Sequence, residues 1–297
     1  MSRSDVIAIL VSTIVLGSIY GLVSIGMTLI YGTLRILDMS QGSMVMIGSY
    51  VGWGILTVAT WNPIVALLLA FVITFILGTF TELISVQPLM NRRGEIDFEM
   101  VTFITTFAVA IVFANVALQI FGPFQKNVPR LVRGSVSLLG VHLDYHSLLM
   151  AATSILLMVG LGLFLSRTRW GFAIRAVAQD LDAARLMGVP VGKLYPLTMG
   201  LASGLAGIGG VFLGALYFAS PTAGDLPLLT ALIVVIFGGL GSLKGTLYAA
   251  YIIGFIQALA VVLVGTTWSL SILYGVILLV LIFRPYGLFG SPSEARL

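Results

Sequence analysis

The chain has no cysteine and only two histidines, His142 and His146. Disulfides, thiolate metal sites and cysteine nucleophiles are therefore excluded. Two histidines in one polar loop, without an HExxH spacing, give no metal centre. Charge is scarcer still. Only 9% of the 297 residues are Asp, Glu, Lys or Arg, against about 25% in a soluble domain. No charged residue at all occurs in 6–34, 39–81, 100–125, 145–166, 194–224, 226–243 or 245–283. A helix needs about 20 apolar residues to cross ~30 Å of hydrocarbon, so each interval is close to spanning length or beyond it.

What remains is apolar: 59% hydrophobic residues and a mean hydropathy of +1.12. Two of the long intervals carry breaks. Trp61-Asn62-Pro63 divides one, because proline ends or kinks a helix. Gly265-Thr266-Thr267-Trp268 divides the other and sets a tryptophan at a membrane interface. Nine spans are predicted: 6–34, 39–60, 63–90, 100–121, 147–166, 194–218, 226–243, 245–264 and 268–283. The fold class is all-α, a polytopic transmembrane bundle of about eight to ten spans, read as a single transmembrane domain over 1–297. The stretch 39–60 is rich in Gly and Ser and reads as a broken or re-entrant segment. The first span is too long for the apolar core of a signal peptide, and the N-terminus is expected to be retained.

The net charge of +4 and pI near 9.5 do not indicate nucleic acid, because cytoplasmic loops of membrane proteins are enriched in Lys and Arg. The partner those charges imply is membrane lipid. With the segment 167–193 cytoplasmic and nine crossings, 11 of the 15 basic residues fall inside, and Arg3, Lys126, Arg130 and Arg133 fall outside. If 39–60 dips in and returns, Arg3 and Arg35 exchange sides and the bias is unchanged, so the side of the N-terminus stays open. GSIYGLVSIGMTLIYG at 17–32 also shares a glycine rhythm with GLASGLAGIGGVFLGALY at 200–217, consistent with an inverted internal repeat. Gly17-x-x-x-Gly21, Gly200-x-x-x-Gly204 and Gly210-x-x-x-Gly214 predict close packing between helices, within the chain rather than between subunits.

One segment breaks the pattern. Residues 167–193 hold seven charges, five of them basic. From Phe172 to Met187 the residues Ala173, Ala176, Val177, Leu181, Ala184 and Met187 form one helical face, with Arg175, Gln179, Asp182 and Arg185 opposite. This predicts a single amphipathic helix, closed by Gly188 in a left-handed cap before Val189-Pro190. Taken alone, such a helix is an interfacial anchor.

The sequence of the segment says more. Asp182-Ala183-Ala184-x-x-x-Gly188 is similar to the Glu-Ala-Ala-x-x-x-Gly loop of ABC importer permeases, and RTRWGFAIRAVAQDLDAARLMGV resembles the corresponding loop of the branched-chain amino acid permease family. The stretches at 17–52, TELISVQPLMNRRG at 81–94, GGLGSLKGTLYAAYIIG at 238–254 and FRPYGLFG at 283–290 resemble the same family in the same order. Departures are local. Asp38-Met39-Ser40-Gln41-Gly42 stands where the family commonly has Asn-Phe-Ala-His-Gly. Leu83 and Gln87 replace usual arginines, Thr230 a frequent lysine, and Lys244 a frequent proline.

The resemblance implies a permease subunit of the bacterial inner membrane that works without a cofactor of its own. It implies a second homologous permease, two ATP-binding subunits and a soluble periplasmic solute-binding protein as partners. The solute expected is a branched-chain amino acid or a related small polar solute such as an amide or urea. Arg175, Asp180, Asp182, Ala183, Ala184 and Gly188 are expected to couple the chain to the ATPase, and Asp38, Gln41, Gly42 and Thr105 to line the solute path. No Gly-x-x-x-x-Gly-Lys-[Ser/Thr] phosphate loop is present, so ATP must come from a partner, and nothing resembles a nucleophile–base pair. An ion-coupled secondary transporter is the alternative, disfavoured by the scarcity of ionisable residues within the spans. Glu82 is read as an anchor at a helix end or a gating group.

Overall fold

The protein is described by a computed structural model over residues 3–59, 62–90, 97–132, 134–138, 141–284 and 287–289. Arg92, Arg93, Arg133 and Arg296, used above for orientation, lie outside these residues. All nine apolar segments are helical. In chain order they are α1 (Arg3–Leu34), α2 (Gln41–Trp53), α3 (Pro63–Thr81), the short α4 (Gln87–Met90), α5 (Phe98–Phe121), α6 (Tyr145–Arg167), α7 (Arg169–Gln179), α8 (Leu181–Leu186), α9 (Val191–Leu216), α10 (Asp225–Gly238), α11 (Leu243–Val264) and α12 (Thr266–Phe283). Among the described residues, six helices are long and apolar enough to cross a membrane, and 225–238 and 266–280 are shorter apolar helices. α2 continues through a π-helical turn, Gly54–Val58, and a second such turn, Glu82–Val86, joins α3 to α4. The first falls within the stretch read as broken or re-entrant, and the second is not legible in the apolar pattern. The expected polar loop holding the histidines is instead an antiparallel hairpin, Ser135–Leu138 with Val141–Asp144, running into α6, where His146 lies.

The helix ends follow their sequence. Asn62 Oδ1 accepts from Ile64 N at 3.0 Å and Pro63 takes the first helical position, so α3 starts there. Asp97 caps α5 through Met100 N, and Gly122 ends it at φ +78°.

The chain packs as two compact units. One contains 29–131 and 159–229; the other contains 1–28, 132–158 and 230–297. In the first, α2 and α3 lie along α9, the most deeply buried helix. Its glycines make that possible. A Cβ on Gly48 would sit 2.1 Å from Gly207 O, and one on Gly210 would sit 2.0 Å from Val45 O. Backbone meets backbone there, which fits the expectation that the glycine spacing serves packing inside the chain. In the second unit, Val234, Phe237, Ala249, Ile253, Leu273 and Ile277 form the core between α10, α11 and α12. Gly17 of α1 lies against Tyr251, and Thr28 Oγ1 lies 2.7 Å from Thr246 Oγ1. Gly287, at φ +76°, turns the end of the FRPYGLFG stretch so that Leu288 N donates to Phe237 O.

The stretch 39–60, read as broken or re-entrant, is the 13-residue α2 followed by the π-helical turn Gly54–Val58. Arg35 Nη2 donates to Ala178 O of α7 at 3.5 Å, so Arg35 lies on the same side as the charged segment. The far end of α2 stacks Tyr50 on Phe121 at 4.2 Å, with Trp53 edge-on to the same ring and Lys126 over Trp53. Those partners stand at the end of α5 and beside Ala219, after α9. α2 therefore starts beside Ala202, midway along α9, and ends beside Ala219, after it.

Candidate functional site

The charged segment is two helices, not one. Thr168 caps α7 by accepting from Gly171 N at 3.0 Å. The helix stops at Asp180, whose backbone is extended at φ −153°, ψ 111°. Asp180 Oδ1 then accepts from Asp182 N at 2.9 Å and Ala183 N at 3.0 Å and so caps α8. The physical reason for the correction is the carboxylate. An acceptor that satisfies two orphan N–H groups favours a new helix start over an unbroken helix. The apolar periodicity continues across the break, which hid it.

The end of α8 is as expected. Gly188 takes φ +81°; its N–H donates to Arg185 O and that of Val189 to Ala184 O, both at 3.0 Å. This paired cap satisfies the last carbonyls of the helix and turns the chain back toward α9.

Arg175, Asp180, Asp182, Ala183 and Gly188 are exposed, whereas Ala184 is buried. The buried face of α7 is Gly171, Ile174 and Val177 rather than the alanines, and α7 packs on α9. Arg175 stacks its guanidinium over Phe172 at 4.8 Å, a cation–π contact. Two side chains the sequence reading missed dominate the tip: Leu186 is 89% exposed and Met187 85% exposed. Met187 had been placed on the apolar face by its spacing, but it falls at the cap, where the helical register no longer applies.

Asp38, Gln41 and Gly42 lie in one fully buried turn between α1 and α2. Asp38 Oδ1 accepts from Ser40 N at 2.9 Å and Ser40 Oγ at 2.7 Å. Gln41 Nε2 donates to Ala202 O of α9 at 3.0 Å. Thr106 Oγ1 accepts from Met39 N at 3.2 Å and ties the turn to α5. Gly42 meets Gly224, the residue before α10, where a Cβ on Gly224 would lie 1.9 Å from Gly42 O. Three elements thus clamp this turn.

Thr105 is not among them. Its hydroxyl donates to Thr102 O and to Ser85 O in the second π-helical turn. α5 is apolar nearly all round, so the sequence could not tell Thr105 from Thr106.

Among the described residues, five buried oxygens in this unit lack a hydrogen-bond partner, the hydroxyls of Tyr50 and Ser203 and three acceptors, Asp38 Oδ2, Gln41 Oε1 and Glu82 Oε2. Glu82 is buried in a π-helical turn, rather than standing at an open helix end. An unpartnered buried acceptor costs about 1–3 kcal/mol, and carboxylates kept at that cost inside membrane proteins are characteristic of functional sites.

Comparison with known proteins places the whole chain. A family model described as the branched-chain amino acid transport system permease component matches residues 9–282. The chain is 30% identical to the high-affinity branched-chain amino acid transport system permease protein BraD of Pseudomonas aeruginosa, over 97% of this chain and 96% of that one. It is 26% identical to the corresponding permease protein LivH of Escherichia coli, over 95% of each. Among solved structures, PsaBC from Streptococcus pneumoniae, in complex with a Fab, covers 100% of this chain at a TM-score of 0.50 and 15% identity, a likeness of fold alone.

Proposed function

Because the chain belongs to the branched-chain amino acid transport system permease family, we propose that it is the membrane permease subunit of a bacterial ABC importer. It carries a branched-chain amino acid or a related small polar solute across the inner membrane. It works with a second permease, two ATP-binding subunits and a periplasmic solute-binding protein. The observation that carries this reading is the α7–α8 element, capped at both ends and at its break, presenting Leu186 and Met187 to a partner. An apolar knob pair held on a rigid, charged element is what a groove in a soluble subunit would bind, with Arg175 and Asp182 setting the register and Asp180 holding α8 in place as its cap.

Two contacts support a link from that element to the proposed solute path. Arg35 touches α7 at Ala178 and stands three residues before Asp38. α7 also packs on α9, whose Ala202 carbonyl holds Gln41. Closure of the ATPase subunits on α7–α8 moves both contacts and loosens the 38–42 turn from both sides.

The alternative, an ion-coupled transporter, would run without ATP. In vesicles holding the assembled subunits and the binding protein, solute uptake is expected to require ATP inside and to be indifferent to proton or sodium gradients. Uptake driven by a gradient alone, without ATP, would sink the importer reading.

A further inference from the structure

Asp38 Oδ2 and Gln41 Oε1 are two acceptors without partners, three residues apart on one buried turn. The bonds that do form fix what is left over. Asp38 Oδ1 takes both hydrogen bonds from Ser40. Gln41 donates through Nε2 to Ala202 O, which makes Oε1 the free end of the amide.

A group that satisfies two bare acceptors is a donor, and a cationic donor is favoured over a neutral one beside an ionised buried carboxylate. A primary ammonium has three N–H donors and no acceptor, so it meets both conditions. A carboxylate would be repelled, and a neutral carbonyl would add a third acceptor. Access is controlled by the neighbouring residue: Gly42 lies with its carbonyl against the backbone of Gly224, leaving no room for a methyl group on Gly224. Parting these two glycines opens the turn.

We propose that Asp38 Oδ2 and Gln41 Oε1 form a station on the solute path that binds a primary ammonium group, closed in this structure where the backbone of Gly42 meets that of Gly224. The station rests on the importer reading for its path.

The chain has no cysteine, so Ser40→Cys gives it a single thiol beside the Asp38 carboxylate. The complex purified from its native membrane, reconstituted in vesicles and supplied with ATP, is treated with aminoethyl methanethiosulfonate, which carries an ammonium, or with the anionic sulfonatoethyl reagent. Modification of this chain is followed by intact mass. The ammonium reagent is expected to react about tenfold faster or more. Asp38→Asn should remove most of that preference, and Gln41→Glu, which adds a charge, should widen it. A folding fault would move both variants the same way. Equal rates, a preference for the anion, or no modification by either reagent overturns the station. Failure of the importer reading shows separately, as the absence of an ATPase subunit from the same preparation.

Discussion

At the scale of single residues, the coupling element depends on one carboxylate and one glycine. Asp180 is exposed, and its side chain serves only its own backbone, so Asp180→Ala should destabilise α8 by about 1 kcal/mol while Asp180→Asn keeps most of the cap. The check is the amount of ATPase subunit retained on the purified permease, which should fall for alanine and hold for asparagine. Gly188 has open space around a Cβ, so substitution there acts through the backbone rather than through collision. A β-branched residue at its left-handed angle costs about 1–2 kcal/mol. Gly188→Val should therefore weaken ATPase retention more than Gly188→Asn, because asparagine tolerates the left-handed region. The glycine was legible in the sequence because Gly before Val-Pro has one reading. The break at Asp180 was not, since Leu181 and Ala184 continue the apolar spacing of Ala176 and Val177. Leu186 and Met187 were missed for a related reason: periodicity reports a face only while the helix persists, and here it stops.

At the scale of elements, α2 and α9 are held by backbone contact, and glycines in the chain fall into two kinds. Gly210 has Val45 O where its Cβ would go, whereas Gly160 and Gly162 of α6 have nothing within 4 Å. Gly210→Ala is expected to cost about 1–3 kcal/mol through overpacking and to lower the yield of folded protein in detergent. Gly160→Ala is expected to be neutral or to stabilise by up to about 1 kcal/mol, because glycine is a poor helix former. Equal behaviour of the two would contradict the packing account. Arg35 tests the link between elements. Arg35→Ala removes the contact with Ala178 but leaves the α8 tip intact, so it should preserve ATPase retention while lowering coupled uptake severalfold. Loss of both together would mean that Arg35 serves assembly rather than transmission. The existence and order of the spans were legible because charge is absent over whole intervals. The second π-helical turn and the choice of Thr106 over Thr105 were not, because α3 and α5 are so uniformly apolar that no phase can be read from them.

At the scale of the whole molecule, the chain is a set of apolar crossings with one charged element between α6 and α9, and function is proposed to reside in how that element is held and what it reaches. The sequence reading found the element and much of the buried turn at 38–42. What the sequence could not show was the contact between Arg35 and Ala178 of α7, because the two residues are 143 positions apart. The most direct test of the coupling claim is an affinity purification of the full chain from its native membrane, with the ATPase subunit quantified per chain. Wild type, Gly188→Val and a Leu186→Ser, Met187→Ser double variant should be compared at equal permease recovery. The expected result is stoichiometric ATPase with the wild type, a marked loss with Gly188→Val and a larger loss with the double variant. Full ATPase retention by the double variant, or its absence from the wild type, would contradict the assignment of α7–α8 as the element that couples this permease to ATP.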